Sequence, residues 1–215
     1  MKKKLVIFGA GDLAACAYEI ALTCGYKVIS FIDDNKSGKF INSIPIITLQ
    51  EFALNPNSDS IIVAIGDNYI RQQVFTECKK TFPNFIFPSL IHKMSVISSN
   101  VIVGEGTLIM PFANIGPNTK IEKCCLINSN SFIDHDGYMA NFSSIAPGVI
   151  IGGNVSIGER SAISIGATVK NKINIHKDVV VGASSYVNKS INPNHIAFGI
   201  PCKEIRTRKK GDSYL

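Results

Sequence analysis

The sequence predicts an α/β domain followed by a β-solenoid: a small N-terminal Rossmann-like parallel sheet, then a parallel β-helix. Three observations lead there. From Ile91 an apolar residue recurs every six positions, through Ile97, Val103 and Ile109 to Val181 and Val187, seventeen anchors with no polar interruption. Four places after these anchors the residue is usually small, as at Ser95, Thr107, Ala113, Ser131, Gly137 and Ala167. Before residue 88, strand-like and helix-like stretches alternate around glycine-containing turns. A six-residue period held this long fits neither the 3.6-residue helix nor the two-residue strand, and is the signature of hexapeptide repeats wound into a parallel β-helix. Alternating strands and helices argue for a parallel sheet.

Taken in order, residues 3–8 read as a buried strand running into Gly9-Ala10-Gly11. Helical spacing follows over 13–24, with Ala14, Ala17, Ile20 and Ala21 on one face and Gly25 at its end. A second strand, 27–32, ends on Asp33-Asp34, and a third, 60–65, ends on Gly66-Asp67-Asn68. A helix over 69–81 completes the unit, and Pro83 and Pro88 break the chain before the hexads. The expected domains are therefore 1–88, a nucleotide-binding unit, and 89–206, the β-helix with a cap after Pro193. Residues 207–215 are expected as a mobile basic tail. Three hexads make one triangular coil, so residues eighteen apart stack on one another. With no insertion in the hexads, five to six coils stand on the order of 27 Å tall.

Composition sets limits. The six cysteines form no C-x-x-C pair and fit a reduced, cytoplasmic setting. Three lysines leading straight into a strand do not read as a signal peptide, and no apolar run approaches the length of a membrane span. The net charge of +6 resides largely in Lys2–Lys4 and in Arg206, Arg208, Lys209 and Lys210. Solvated termini account for it, and no basic stripe interleaved with aromatics points to nucleic acid.

Gly9-Ala10-Gly11-x-x-Ala14 follows a strand and opens a helix, with Asp33 and Asp34 about twenty residues on. Glycines let backbone approach a phosphate, helix N–H groups bind it, and a carboxylate at a strand end takes a ribose hydroxyl. Eighty-eight residues hold one mononucleotide half and not two, which favours a nucleotide or nucleotide sugar over NAD(P). A tight glycine turn with no ligand is the other reading. Gly66-Asp67-Asn68 emerges on the same carboxyl edge of the sheet. His135, between Asp134 and Asp136, stands two places past a buried anchor and points outward. Held at Nδ1 by Asp136, it offers Nε2 as a general base, and the eighteen-residue rule puts Gly153 over it with a backbone N–H for an oxyanion. An exposed histidine with incidental acidic neighbours is equally compatible with the residues alone. His92, His176 and His195 lack metal-ligand spacing, so no metal is expected.

These motifs, with Asn128, Gly152-Gly153-Asn154 and Gly199-Ile200-Pro201-Cys202-Lys203, resemble the left-handed β-helix acyltransferases. The likeness is nearest to bacterial sugar-nucleotide N-acetyltransferases of the bacillosamine, perosamine and viosamine type, with sialic acid O-acetyltransferases as relatives. The resemblance implies a left-handed coil and a homotrimer with acetyl-CoA between neighbouring β-helices. It implies His135 as base, Asp136 as its orienting carboxylate and Gly153 as oxyanion donor. Gly9, Gly11, Asp33, Asp34, Gly66, Asp67 and Asn68 would hold the nucleotide sugar. Asn128, Ser144, Gly153, Ile165, Gly199, Pro201 and Lys203 would meet acetyl-CoA. The implied reaction is N-acetylation of a nucleotide-linked 4-amino-4,6-dideoxy sugar, in surface polysaccharide or glycan synthesis. Sialic acid O-acetylation, or a non-catalytic nucleotide-sensing trimer, are the alternatives. Some relatives carry a histidine where this chain has Ser144.

Overall fold

The computed structural model describes residues 2–209 and 211–212. Its N-terminal unit runs β1 (Lys4–Phe8), α1 (Asp12–Thr23), β2 (Lys27–Ile32), β3 (Phe40–Ile41), β4 (Ile44–Ile47), α2 (Leu49–Leu54), β5 (Ile61–Val63) and α3 (Asn68–Thr81). The sheet order is β3-β4-β2-β1-β5. Strands β4, β2, β1 and β5 are parallel, as expected, but β3 runs antiparallel to β4, so the sheet is mixed at one edge. The hairpin escapes a periodicity argument because β3 is two residues long. Its turn rests on Asn42 and Ser43, both at positive φ, the backbone pattern of a tight hairpin turn. Helix α2 is also short, at six residues, and a capping box between Thr48 and Glu51 starts it.

From β6 (Leu90–Ile91) to β22 (Tyr186–Val187) seventeen two-residue strands each end on an anchor. They stack in parallel into three sides of a prism, with eighteen-residue register: Ile109 pairs with Ile127, Ile127 with Ile145 and Ile145 with Ile163. Inward anchors from Ile109 onward are almost fully buried and form one continuous core. From Gly106 to Ser184 each turn places the residue three past its anchor in the left-handed region, for example Asn118, Asp136 and Asn154 at φ of 58, 55 and 59°. Asparagine and aspartate adopt that region more readily than most side chains. A hairpin of β23 (His195–Gly199) and β24 (Cys202–Thr207) extends the first side, which thereby counts eight strands beside sides of six and five.

The residue before each anchor points outward, and its character decides where the two units meet. On the eight-stranded side these are Leu90, Leu108 and Leu126, buried in one cluster with Ala14, Ala17, Ile20 and Ala21 of α1. Each buried leucine contributes about 1.5–3 kcal/mol relative to exposure. A buried polar joint lies alongside. Arg71 of α3 is fully buried and donates to the carbonyls of Ile65, Gly66, Cys124 and Phe142 and to Asn68 Oδ1. This ties the end of β5 to two coils of the prism.

The expected tail begins inside the fold. Thr207 ends β24, and Arg208 is buried with its N–H on the carbonyl of Asn194. Lys210 and residues 213–215 lie outside the described residues.

Candidate active site

The carboxyl ends of β1, β2 and β5 open onto a cleft of about 710 Å³ lined by Gly9, Gly11, Asp33, Asp34 and Gly66. Gly9 has φ of +110°, and a Cβ there would stand 2.7 Å from the carbonyl oxygen of Ala64, so backbone geometry demands glycine. Gly11 caps α1, and a Cβ on it would meet nothing within 4 Å. Asp33 accepts from the Asn35 N–H, and Asp34 accepts from the N–H of Leu49 at the start of α2. Lys36, absent from the sequence-based set, also lines the cleft and donates to the carbonyl of Ala10 at 2.8 Å. It lies in the loop after β2, where no spacing marks it.

Two members of the expected nucleotide set stand elsewhere. Asp67 caps α3, its carboxylate accepting from the N–H groups of Tyr69 and Ile70. Asn68 is fully buried, and its amide donates to Ser144 Oγ at 3.0 Å and to the carbonyls of Arg160 and Ser161. Asn68 therefore belongs to the joint between the two units and does not line the cleft. A sequence reading could not separate Asn68 from Gly66, because both follow the same strand.

The cleft continues past Leu13 and Gly66 into a pocket of about 380 Å³ lined by Asn128, Ser144, Ala146, Ser164 and Ile165. These residues lie on, or directly after, strands of the eight-stranded side. The walls are mainly apolar, through Leu126, Pro147 and Ile163. Gly199, Pro201 and Lys203 belong to the β23–β24 hairpin, which stacks above that side through pairing of Val181 with Ala197. Pro201 and Lys203 are exposed, and none of the three lines the pocket. Another open depression, near Lys3, Lys4 and Ser58, lies at the amino-terminal edge of the sheet, away from these strand ends.

His135 stands at a different corner of the prism, in the turn leaving the six-stranded side after Phe132–Ile133. Its Nδ1 lies 2.6 Å from Asp136 Oδ2. A carboxylate only accepts, so Nδ1 carries the hydrogen, and in the neutral ring Nε2 presents a lone pair. The Asp136 contact first, and the charge of Asp134 second, raise the His135 pKa. Asp136 is held below the usual carboxylate range, by His135 and then by Asn118, whose amide reaches its other oxygen at 3.0 Å. Gly153, one coil above, is buried under the imidazole: a Cβ on it would stand 2.6 Å from Nε2. Among the described residues no acceptor pairs with its N–H.

The expected residues thus divide into two groups on one chain. Cleft and pocket occupy one corner, and His135, Asp136 and Gly153 the next. The six-stranded side separates them, with exposed Val96, Phe132 and Ile150 on its outer surface. Among the described residues no group of three histidine, cysteine or acidic side chains is placed to hold a metal ion, and no helix is long and apolar enough to cross a membrane.

Residues 4–78 match the family described as the PglD N-terminal domain, and residues 100–135 match the bacterial transferase hexapeptide, six repeats. The acetyltransferase domain of PglB from Neisseria gonorrhoeae superposes with a TM-score of 0.88 at 29% identity, over 94% of this chain and 100% of that one. PerB from Caulobacter crescentus, in complex with CoA and GDP-perosamine, superposes with a TM-score of 0.89 at 27% identity, over 94% and 97%. A GDP-perosamine N-acetyltransferase of Escherichia coli is 31% identical over 124 residues, 54% of each chain, so the match spans about half of that relative's length. The chain is homologous to these hexapeptide-repeat acetyltransferases and shares their fold, a left-handed β-helix. Its N-terminal unit is of the PglD type, and the relatives named above are sugar acetyltransferases.

Proposed function

We propose that the protein transfers an acetyl group from acetyl-CoA to the amino group of a nucleotide-linked 4-amino-4,6-dideoxy sugar. The observation that carries this reading is the oriented imidazole: His135 is fixed at Nδ1 by Asp136 and stacked on Gly153, whose backbone N–H meets no acceptor among the described residues. A relative of the same fold, PerB, holds CoA and GDP-perosamine, which supports both substrates.

In this reading residues 1–88 bind the nucleotide sugar, through Gly9, Gly11, Asp33, Asp34 and Gly66. Residues 89–206 carry the transfer. The sugar amine attacks the thioester carbonyl carbon, forming the C–N bond, while Nε2 of His135 takes the proton from nitrogen. The Gly153 N–H stabilises the oxyanion. The intermediate then collapses, the C–S bond breaks, and the imidazolium returns its proton to the leaving thiolate.

A homotrimer completes the site, the His135 corner of one chain meeting the cleft corner of its neighbour. The apolar outer residues between the two corners, Val96, Phe132 and Ile150, support that packing. Acetyl-CoA would then touch Asn128, Ser144 and Ile165 of one chain and Gly153 of the next. Free surface thiols at Cys16 and Cys24 suit a reducing, cytoplasmic setting. The product would serve surface polysaccharide or glycan synthesis.

The test is a panel of UDP-, dTDP- and GDP-linked 4-amino sugars with acetyl-CoA, following thiol release and the acetylated product. One nucleotide amino sugar is expected to be consumed. Acetylation of free sialic acid, with no nucleoside diphosphate bound in calorimetry, would replace this reading with O-acetylation.

A further inference from the structure

Asp136 uses only one carboxylate oxygen on His135, and what holds the other is set by the stacking of the prism. Three residues past the anchors at this corner stand Asn100, Asn118 and Asp136, eighteen apart and one coil above another. The Asn118 amide donates to Asp136 Oδ1 at 3.0 Å. Because a carboxylate cannot donate, the Asn118 NH2 must face upward and its carbonyl downward. Asn100 meets that carbonyl with its own NH2, and its Oδ1 accepts from the Asn118 backbone N–H at 3.2 Å. The ladder leaves the amide one orientation.

We infer that Asn118 is a positioning residue for the reaction: with Asn100 beneath it, it fixes the Asp136 carboxylate and so the ring of His135. The inference rests on His135 being the base. Since Asp136 and His135 are both substantially exposed, water would otherwise solvate the free oxygen and let the pair swing. Asp134 and Asp136 are the charged groups on the His135 turn. The turn below offers Gly116, Pro117 and Asn118, and the turn above Gly152, Gly153 and Asn154, none of them charged. Asn118 is therefore the neutral donor that meets the carboxylate from the coil beneath.

Two variants test this without straining the backbone, because φ at Asn118 is 58° and glycine and aspartate both tolerate it. Asn118→Gly removes the donor, and Asn118→Asp turns it into a second carboxylate facing Asp136. Two readouts are taken: the His135 ring titration by NMR in the unliganded protein, and kinetics on a nucleotide-linked 4-amino sugar. Asn118→Asp is expected to move the His135 titration to higher pH, since a further negative charge favours imidazolium. Asn118→Gly is expected to lower kcat about tenfold with KM nearly unchanged, the signature of a misplaced base. An unmoved titration in Asn118→Asp overturns the inference, whatever the activity. A moved titration in a protein that acetylates no amino sugar keeps the positioning role and removes the proposed reaction instead.

Discussion

Gly153 and His135, eighteen residues apart, are in contact: a methyl group added to Gly153 would stand 2.6 Å from Nε2 of His135. The imidazole lies where a side chain on the coil above would have to be. A ring positioned by a glycine above and a carboxylate beside it has little freedom left.

Gly153→Ala is accordingly expected to push the ring off its seat. The clash is with the movable tip of a side chain, so the fold survives. Steady-state kinetics should show kcat falling by roughly 10² with an unchanged Tm, as expected for a displaced catalytic group.

In the proposed reaction His135→Ala removes the proton acceptor itself. Turnover is expected to fall by about 10² or more, with modest change in affinity for either substrate. Calorimetry on the variant measures the second half of that statement.

The pH dependence carries a definite sign. Asp136 and Asp134 raise the His135 pKa, and the base must be neutral to act, so kcat/KM should fall with decreasing pH through a midpoint above that of an ordinary histidine. Asp136→Asn takes away the larger cause, and the acidic limb should move to lower pH. A pH–rate profile of both proteins checks it.

The joint between the two units is expected to matter for stability. Asn68→Ala deletes an amide that donates to Ser144, Arg160 and Ser161 and accepts from Arg71, leaving buried groups unpaired. The cost is about 1–3 kcal/mol by the usual penalty for unsatisfied buried polar atoms. Denaturant unfolding should register it.

Thiol reactivity reports the same packing. Burial pushes Cys78 up to about 12 and Cys125 up to about 11, and Cys124 is raised for the same reason. Cys16 and Cys24 are exposed. In the native protein a thiol reagent should modify those two rapidly and spare the buried three until the chain unfolds.

The hexads were fully legible, because one apolar anchor per six residues is a geometric necessity of a three-sided coil. Their register carried Gly153 over His135 directly, with no contact information. The docking side, where Leu90, Leu108 and Leu126 meet α1, was not legible, because another outward column also carries apolar residues, among them Val96, Phe132 and Ile150. Less legible was anything that depends on tertiary direction. Asn68 follows β5 as Gly66 does, yet it turns into the prism while Gly66 faces the cleft. Lys36 and the β3–β4 hairpin lie in short irregular stretches where no period exists to read.

The most direct test of the central claim, a site shared between chains, combines two inactive variants. His135→Ala lacks the base. Gly11→Trp fills the cleft, where an added side chain meets open space. Co-expressed in equal amounts and purified together, they should recover about a quarter of wild-type activity, the random fraction of boundaries in a cyclic trimer that join an intact base to an intact cleft. Mixed oligomers as inactive as either parent would contradict the shared site.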